Sequence, residues 1–207
     1  SITFVILRDR TGLVQCVIDN KLINSEDIKL ESVVSVTGRV KESNNKLNNF
    51  EIEVRKFEVI SKCKDELPIE INKEDLNINL VTMLNNRVLS LRHEKINAIF
   101  KVQNVVVRGF REYLISEGFT EIFTPKLVSE GAEGGTEVFE VKYFENKAYL
   151  AQSPQFYKQM MVSSGFERVF EVGHVYRAEQ HDTNRHLNEY ISLDVEIGFI
   201  KDEKDLM

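Results

Sequence analysis

The feature that most constrains this chain is a change in its hydrophobic period. Over residues 2–60 the apolar residues come in short runs and alternations: Phe4–Leu7, Leu13–Ile18, Ser32–Val40, then Phe50–Ile60 with Ile52, Val54 and Phe57 among charged neighbours. Between 92 and 117 the period lengthens, and Ile96, Ile99, Phe100, Val106, Val107, Phe110 and Leu114 recur at three-and-four spacing. A two-residue period sends successive side chains to opposite faces of a strand, whereas a period near 3.6 makes one stripe on a helix. A chain holding both patterns in separate blocks is neither a helix bundle nor a single barrel. The expected class is α+β.

Turn signals divide the first block. Asp9-Arg10-Thr11-Gly12 and the Asn/Lys-rich 44–49 separate the strands, which predicts a small β-barrel whose first strand lies upstream of Ser1. Residues 61–81 are polar, contain Pro68 and read as a linker. The long helix ends at Gly118, a C-cap residue, and Phe119–Pro125 reads as a short strand. A Gly-rich loop follows at 131–135. A hairpin is expected over 137–152 around Glu145-Asn146, then a short helix opened by Ser153-Pro154 and closed by Gly165. Arg168–Glu179 reads as a strand. Residues 192–199 read as another, with Ser192, Asp194 and Glu196 on a polar face. The expected domains are 1–61, a linker at 62–84, and 85–207 as an antiparallel sheet with flanking helices.

Charge narrows the function. The net charge is −6, with nine basic and nine acidic residues in 1–61 and the whole excess beyond it. This argues against a simple basic nucleic-acid binder, so nucleic-acid contact would rest on local geometry and stacking. No apolar run approaches the ~20 residues of a membrane span, and no secretory pattern opens the chain. Cys16 and Cys63 lack metal-ligand spacing, which fits two small buried hydrophobes in a reduced, cytoplasmic protein.

The segment richest in chemistry is 170–196, FEVGHVYRAEQHDTNRHLNEYISLDVE. If Arg177 and Glu179 lie two apart on a strand, both face the same way. A polar loop then supplies Arg185 and His186. Two guanidinium groups could take phosphate or carboxylate in fork geometry, and a neighbouring carboxylate could accept from an exocyclic amine. Read alone, an Arg-x-Glu pair is a surface ion pair, Lys158 a solvated helix lysine and Phe4 barrel core. His93 and His174 receive no role, and His181 reads as a solvated loop histidine.

Those residues carry a resemblance. YRAE at 176–179 followed by RHLNE at 185–189 resembles motif 2 of the class II aminoacyl-tRNA synthetases, and EGFTEIFTPKL at 117–127 is similar to their motif 1. QSPQFYKQ at 152–159 and EGAEGGTEVF at 130–139 resemble the amino-acid-binding segment and mobile loop of the aspartyl branch, in its archaeal-type wording. The first block resembles that branch's anticodon-binding OB domain. The resemblance implies an ATP-dependent ligase that activates L-aspartate and charges tRNA(Asp), with tRNA(Asn) as a further acceptor. It also implies Mg²⁺ on the phosphates and a homodimer through motif 1.

Carried over by position, Arg177 would hold the α-phosphate and substrate α-carboxylate, and Glu179 the adenine amine. Arg185, His186 and Leu187 would line the ATP site. Glu133 and Gln155 would position aspartate, Lys158 would pair with its side-chain carboxylate, and Phe4, Gln15 and Glu51 would meet the anticodon. The family's third motif and the carboxylates that hold Mg²⁺ are expected beyond Met207, so the resemblance implies a fragment with an incomplete site and no metal ligands of its own. The rivals are an asparaginyl enzyme, whose amide substrate would leave the Lys158 ammonium unpaired, a lysyl enzyme, which shares phrases like FERVFEVG at 166–173 but whose amino-acid segment QSPQFYK does not resemble, and a paralogue or nucleic-acid-binding module without charging activity.

Overall fold

The computed structural model describes residues 1–23, 28–131, 137–181, 183 and 185–205. The chain divides into two compact units, Ser1–Asn86 and Arg87–Met207.

Unit 1 is built on strands β1 (Ile2–Arg8), β2 (Leu13–Asp19), β3 (Val33–Glu42) and β4 (Phe50–Ser61). They form one sheet in the order β1-β2-β4-β3. Only β2 and β4 run parallel. The first turn closes because the Asp9 carboxylate accepts from the Thr11 N–H at 2.7 Å and the Gly12 N–H at 3.2 Å. The Thr11 hydroxyl, followed by these amides, holds the Asp9 carboxyl below its ordinary pKa. Gly12 takes a φ of 151°, which glycine adopts without strain. Asn45 organises the next turn by accepting from the Leu47 and Asn48 N–H groups, both at 2.9 Å.

The alternation places Cys16, Ile18 and Val54 in the core, with Val5, Leu7, Val14, Val36, Ile52 and Phe57 packed on them. Burial raises the Cys16 thiol pKa. The β3–β4 ladder shifts register at Thr37/Gly38, where Arg55 of β4 is the extra residue. A Cβ on Gly38 would strike the Glu53 carbonyl and come within 2.6 Å of Ile52 Cγ2, so the sheet requires glycine there. Residues 62–79 hold no strand or helix, as a linker should. Ile69 and Ile71 are nonetheless buried, because a polar segment with two isoleucines still removes them from water. Helix α1 (Leu80–Asn85) follows, its first turn capped by Asn79 accepting from the Thr82 N–H at 2.8 Å.

Unit 2 opens with α2 (Arg87–Ser90) and α3 (Glu94–Ser116). Gly118 closes α3 at a φ of 80°. Near its end the helix packs as expected: Leu114 is buried, and the Phe110 ring meets Phe170 edge-on at 5.8 Å. The expected core stripe is otherwise open to solvent at Ile99, Phe100 and Val106, since β5 and Phe170 cover only the C-terminal turns.

Strands β5 (Thr120–Glu121), β9 (Arg168–Tyr176) and β10 (Glu189–Ile197) form one sheet in the order β10-β9-β5. β9 and β10 pair antiparallel, while β5 is parallel to β9. Strand β5 is shorter than the expected 119–125, because the Thr124 N–H turns out of the ladder to a side chain, Glu171 Oε1 at 2.9 Å. A second sheet, β6 (Leu127–Val128), β8 (Asn146–Leu150) and β7 (Glu140–Tyr143), contains the expected hairpin. Its register pairs Tyr143 with Asn146, so the turn residues are Phe144-Glu145, one place earlier than the sequence suggested. Helix α4 spans Gln155–Met161, and the chain leaves it through a wider turn in which Gly165 has a φ of 95°.

Candidate functional site

The β9–β10 hairpin sets the geometry. Its register pairs Glu171 with Asp194, Gly173 with Ser192, and Val175 with Tyr190. Paired residues in an antiparallel ladder share a face, so Glu171, Gly173, Ser192, Asp194 and Glu196 lie together. This polar face is the covered one: Ser192, Asp194 and Glu196 are half-buried while Ile191 and Leu193 are exposed. The reason is Lys158. Helix α4 sends this lysine onto the polar face, where it is only 3% exposed.

The Lys158 ammonium donates to Asp194 Oδ1 at 3.0 Å and to the Val195 carbonyl at 3.3 Å, and it lies 3.3 Å from Glu196 Oε2. The Ser192 hydroxyl donates to the other Asp194 oxygen at 2.6 Å. Lys158 is therefore not a solvated lysine. Its three N–H groups each face an acceptor of this chain. An amide ligand would thus not leave the ammonium unpaired, contrary to the sequence argument against an asparaginyl enzyme. Asp194 and Glu196 were missed as site candidates. The alternation of 192–197 marked their face, but nothing in it identified the cation that covers them.

The strand expected over 168–179 stops at Tyr176, so Arg177 and Glu179 lie just beyond it. Asn188 ends the ladder. Its carbonyl accepts from the Arg177 N–H at 2.9 Å, and its side-chain amide donates to the Arg177 and Glu179 carbonyls at 2.8 and 3.0 Å. Those carbonyls are taken by a side chain rather than by a strand. Arg177 and Glu179 are half-buried, whereas Arg185, His186 and Leu187 are exposed. Within the loop, Thr183 Oγ1 and His186 Nδ1 are 2.6 Å apart, the His186 ring lies 4.6 Å from the His181 ring at a tilt of 42°, and His181 Nε2 lies 3.7 Å from Glu179 Oε2. His174 pairs with Glu189 at 3.1 Å on the opposite face. Burial and the charge of Glu189 raise the pKa of the neighbouring Tyr176.

Gln155 opens α4, its N–H directed to Ser153 Oγ at 3.4 Å. Beside it a cavity of about 210 Å³ is bounded by Ser129, Glu130, Ser153, Phe156 and Tyr157; neither Lys158 nor Arg177 lines it. Glu133 falls outside the described residues.

In unit 1 the β1–β2 register pairs Ile6 with Gln15 and Phe4 with Val17, which puts Phe4 and Gln15 on the sheet face away from the core. Phe4 is 58% exposed, which removes the barrel-core reading. The Gln15 amide donates to Glu51 Oε2 at 2.8 Å, and the Ser43 hydroxyl donates to the same oxygen at 3.1 Å. Ile2 and Ile6 are exposed on either side of Phe4. The face is thus an aromatic and aliphatic strip beside a fixed carboxylate. Among the described residues no group of three or more His, Cys, Asp or Glu side chains is arranged to hold a metal. No described helix is long and apolar enough to cross a membrane.

Residues 79–207 match the family of tRNA synthetases class II (D, K and N), and residues 1–60 match the OB-fold nucleic acid binding domain. An aspartate--tRNA(Asp/Asn) ligase of Deinococcus radiodurans is 52% identical over 206 residues, covering 100% of this chain and 46% of that protein. A protein of the same description from Thermus thermophilus is 52% identical over 209 residues, covering 100% of this chain and 48% of that protein. The chain spans about half the length of the curated relatives it matches. The crystal structure of asparaginyl-tRNA synthetase from Pyrococcus horikoshii complexed with asparaginyl-adenylate superposes with a TM-score of 0.86 at 35% identity, covering 96% of this chain and 46% of that one.

Proposed function

The chain belongs to the class II tRNA synthetases of the D, K and N group, and on that premise we propose that the whole protein is an aspartate–tRNA ligase. In this reading residues 1–61 are the anticodon-binding domain, 62–84 a linker and 85–207 the first part of the catalytic domain. The protein activates L-aspartate with ATP and transfers it to tRNA(Asp), with tRNA(Asn) as the second acceptor. It works in the cytoplasm as a homodimer formed through α3 and β5.

The observation that carries this reading is the layout of the β9–β10 hairpin. Arg177 follows Glu171, the ladder partner of Asp194, by six residues, about 20 Å at ~3.3 Å per residue. Lys158 reaches one end of that interval and the Arg177 side chain starts from the other. Between them lie Gly173 and Ser192, a ladder pair of small residues. An amino-acid adenylate fits such a span, with its amino-acid side chain at Lys158 and its phosphate at Arg177.

In the reaction an aspartate α-carboxylate oxygen attacks the α-phosphorus of ATP, the bond to the bridging oxygen breaks, and pyrophosphate leaves. No protein nucleophile is required. Arg177 neutralises charge on the α-phosphate. Glu179 accepts from the adenine amine. Arg185, His186 and Leu187 flank the nucleotide. Gln155 and Glu133 orient the ammonium group. Mg²⁺ would arrive with the nucleotide and would supply charge neutralisation at the phosphates; among the described residues no group of carboxylates is arranged to hold it.

ATP–pyrophosphate exchange in the whole protein tests the assignment. Exchange should depend on aspartate, with asparagine and lysine near background. Exchange driven by asparagine would favour the second reading, an asparaginyl enzyme. That reading is supported by the three partners that already satisfy Lys158 and by the likeness to the asparaginyl-adenylate complex.

The anticodon role is tested by Phe4→Ala. Because Phe4 is 58% exposed and outside the core, stability should stay within about 0.5 kcal/mol. Loss of one base stack, about 1–3 kcal/mol, should raise the KM for tRNA roughly 5- to 150-fold and leave exchange intact. A fall in thermal stability with unchanged tRNA binding would return Phe4 to a packing role.

A further inference from the structure

We propose that Lys126 is a second anion-binding cation on the floor of the amino-acid site, with Glu171 and Thr124 as its positioning residues. This rests on the reading of the β9–β10 face as the adenylate-forming site.

Glu171 is 3% exposed, as deeply placed as Lys158. It accepts from the Thr124 N–H at 2.9 Å, the Thr124 hydroxyl at 2.7 Å and Lys126 Nζ at 3.0 Å. A buried carboxylate with three donors is a fixed point. Lys126 Nζ donates to Glu171 and, at 3.1 Å, to Thr124 Oγ1. The Thr124 hydroxyl thus donates to the carboxylate and accepts from the ammonium. The Lys126 main chain is held as well: its carbonyl accepts from the Ala151 N–H at 3.0 Å, immediately before the 152–159 segment.

Where this ammonium ends is what assigns it a role. Gly173 follows Glu171 on the same face and pairs with Ser192. A Cβ on Gly173 would lie 3.2 Å from Lys126 Nζ. The ammonium therefore sits over the small-residue floor between the Lys158 end and the Arg177 end. Its side chain keeps 26% of its surface exposed, against 4% for Lys158. An ammonium has three N–H donors, and Glu171 and Thr124 take two. The third is available to an anionic group lying on the floor, which for an aspartyl adenylate is the side-chain carboxylate of the aspartate.

Electrostatics favour the same assignment. Glu171 and Asp194 face each other across the ladder, an arrangement that is unfavourable for two uncompensated like charges. Each is compensated by a separate lysine, Lys126 from the loop after β5 and Lys158 from α4. Asp194 and Glu196 outnumber Lys158, so that end alone repels a carboxylate. Lys126 is balanced by Glu171 but is the more exposed of the two ammonium groups, so it can present a donor to that carboxylate.

The test uses the whole protein. Lys126→Met alone would leave Glu171 buried and uncompensated, so the variant to make is Lys126→Met with Glu171→Gln. This removes both charges and keeps an acceptor for Thr124. Melting temperature and exchange kinetics are measured together. The expected result is a melting temperature close to wild type, a KM for aspartate raised about tenfold or more, the worth of one charge-assisted hydrogen bond, and an unchanged KM for ATP. A folded double variant with wild-type KM for aspartate overturns the proposal.

A second measurement needs no substitution. In wild-type protein, acylation of Lys126 by acetic anhydride, read by mass spectrometry, should slow when aspartate and ATP are added. Equal labelling with and without them overturns the proposal. If wild-type protein supports no aspartate-dependent exchange, the reading of the site fails first, and that failure is distinguishable from either outcome.

Discussion

Lys158→Met should lower the unfolding free energy of this chain by about 2–3 kcal/mol and abolish most aspartate activation in the whole protein. Breaking a buried ion pair by removing one partner costs roughly 3–5 kcal/mol, because the remaining charge is stranded. Here the stranded groups are Asp194 and Glu196, whose side chains keep 20% and 25% of their surface exposed, and solvent reduces the penalty below that of a fully buried pair. Chemical denaturation of the wild-type and variant chains measures this directly.

The effect on activity should be larger than the effect on stability. Without the ammonium, aspartate would place its side-chain carboxylate beside two uncompensated carboxylates. Loss of the attraction and gain of the repulsion should lower kcat/KM for aspartate by about two orders of magnitude or more, at ~1.4 kcal/mol per factor of ten. The three acceptors already on Lys158 limit what it can do for selectivity. Asparagine would not leave the ammonium bare, and a hydrogen bond to aspartate must displace one of its present acceptors, so the contribution of Lys158 to aspartate/asparagine discrimination is at most that of one charge-assisted hydrogen bond, about 1.5–3 kcal/mol. An unchanged aspartate/asparagine ratio in the variant would mean that discrimination is set elsewhere.

Arg177→Ala is the second large effect. Arg177 lies one residue beyond β9, its backbone fixed by two hydrogen bonds with Asn188. A backbone held this way fixes where the guanidinium starts, and positioned charge is worth most where new charge develops. By analogy with the loss of one oxyanion donor, kcat for adenylate formation should fall by about 10²–10³. Since Arg177 is half-buried just beyond the strand end, the melting temperature should change little. Single-turnover adenylate formation measures the first and thermal unfolding the second. An unchanged adenylation rate would remove Arg177 from the phosphate site.

Most elements were legible in the sequence because each rests on a local pattern. Alternation over 2–60 gave four strands, three-and-four spacing gave α3, and Gly118 and Gly165 took the positive φ values their positions suggested. The boundaries that moved did so for tertiary reasons. Strand β9 stops at Tyr176 because the Asn188 side chain takes the carbonyls of Arg177 and Glu179, and β5 stops at Glu121 because Thr124 turns to Glu171.

The same division holds for the site. By itself the sequence determined which chemical groups the chain owns, in motif wording that fixes the family: an arginine and glutamate before a polar loop, a lysine four residues after a serine-proline pair, and a phenylalanine on an alternating strand. Only the tertiary structure decided their states. It put Phe4 in solvent rather than in the core, joined Gln15 to Glu51, and placed Lys158 between Asp194 and Glu196, carboxylates 36 and 38 residues away. It also brought Lys126 across to Glu171. Periodicity reports which face of an element a residue occupies, a property of neighbours along the chain. Which charge meets which depends on the register of β9 with β10 and on where α4 docks. Those are settled by long-range packing, to which one strand or helix contributes only half of each contact.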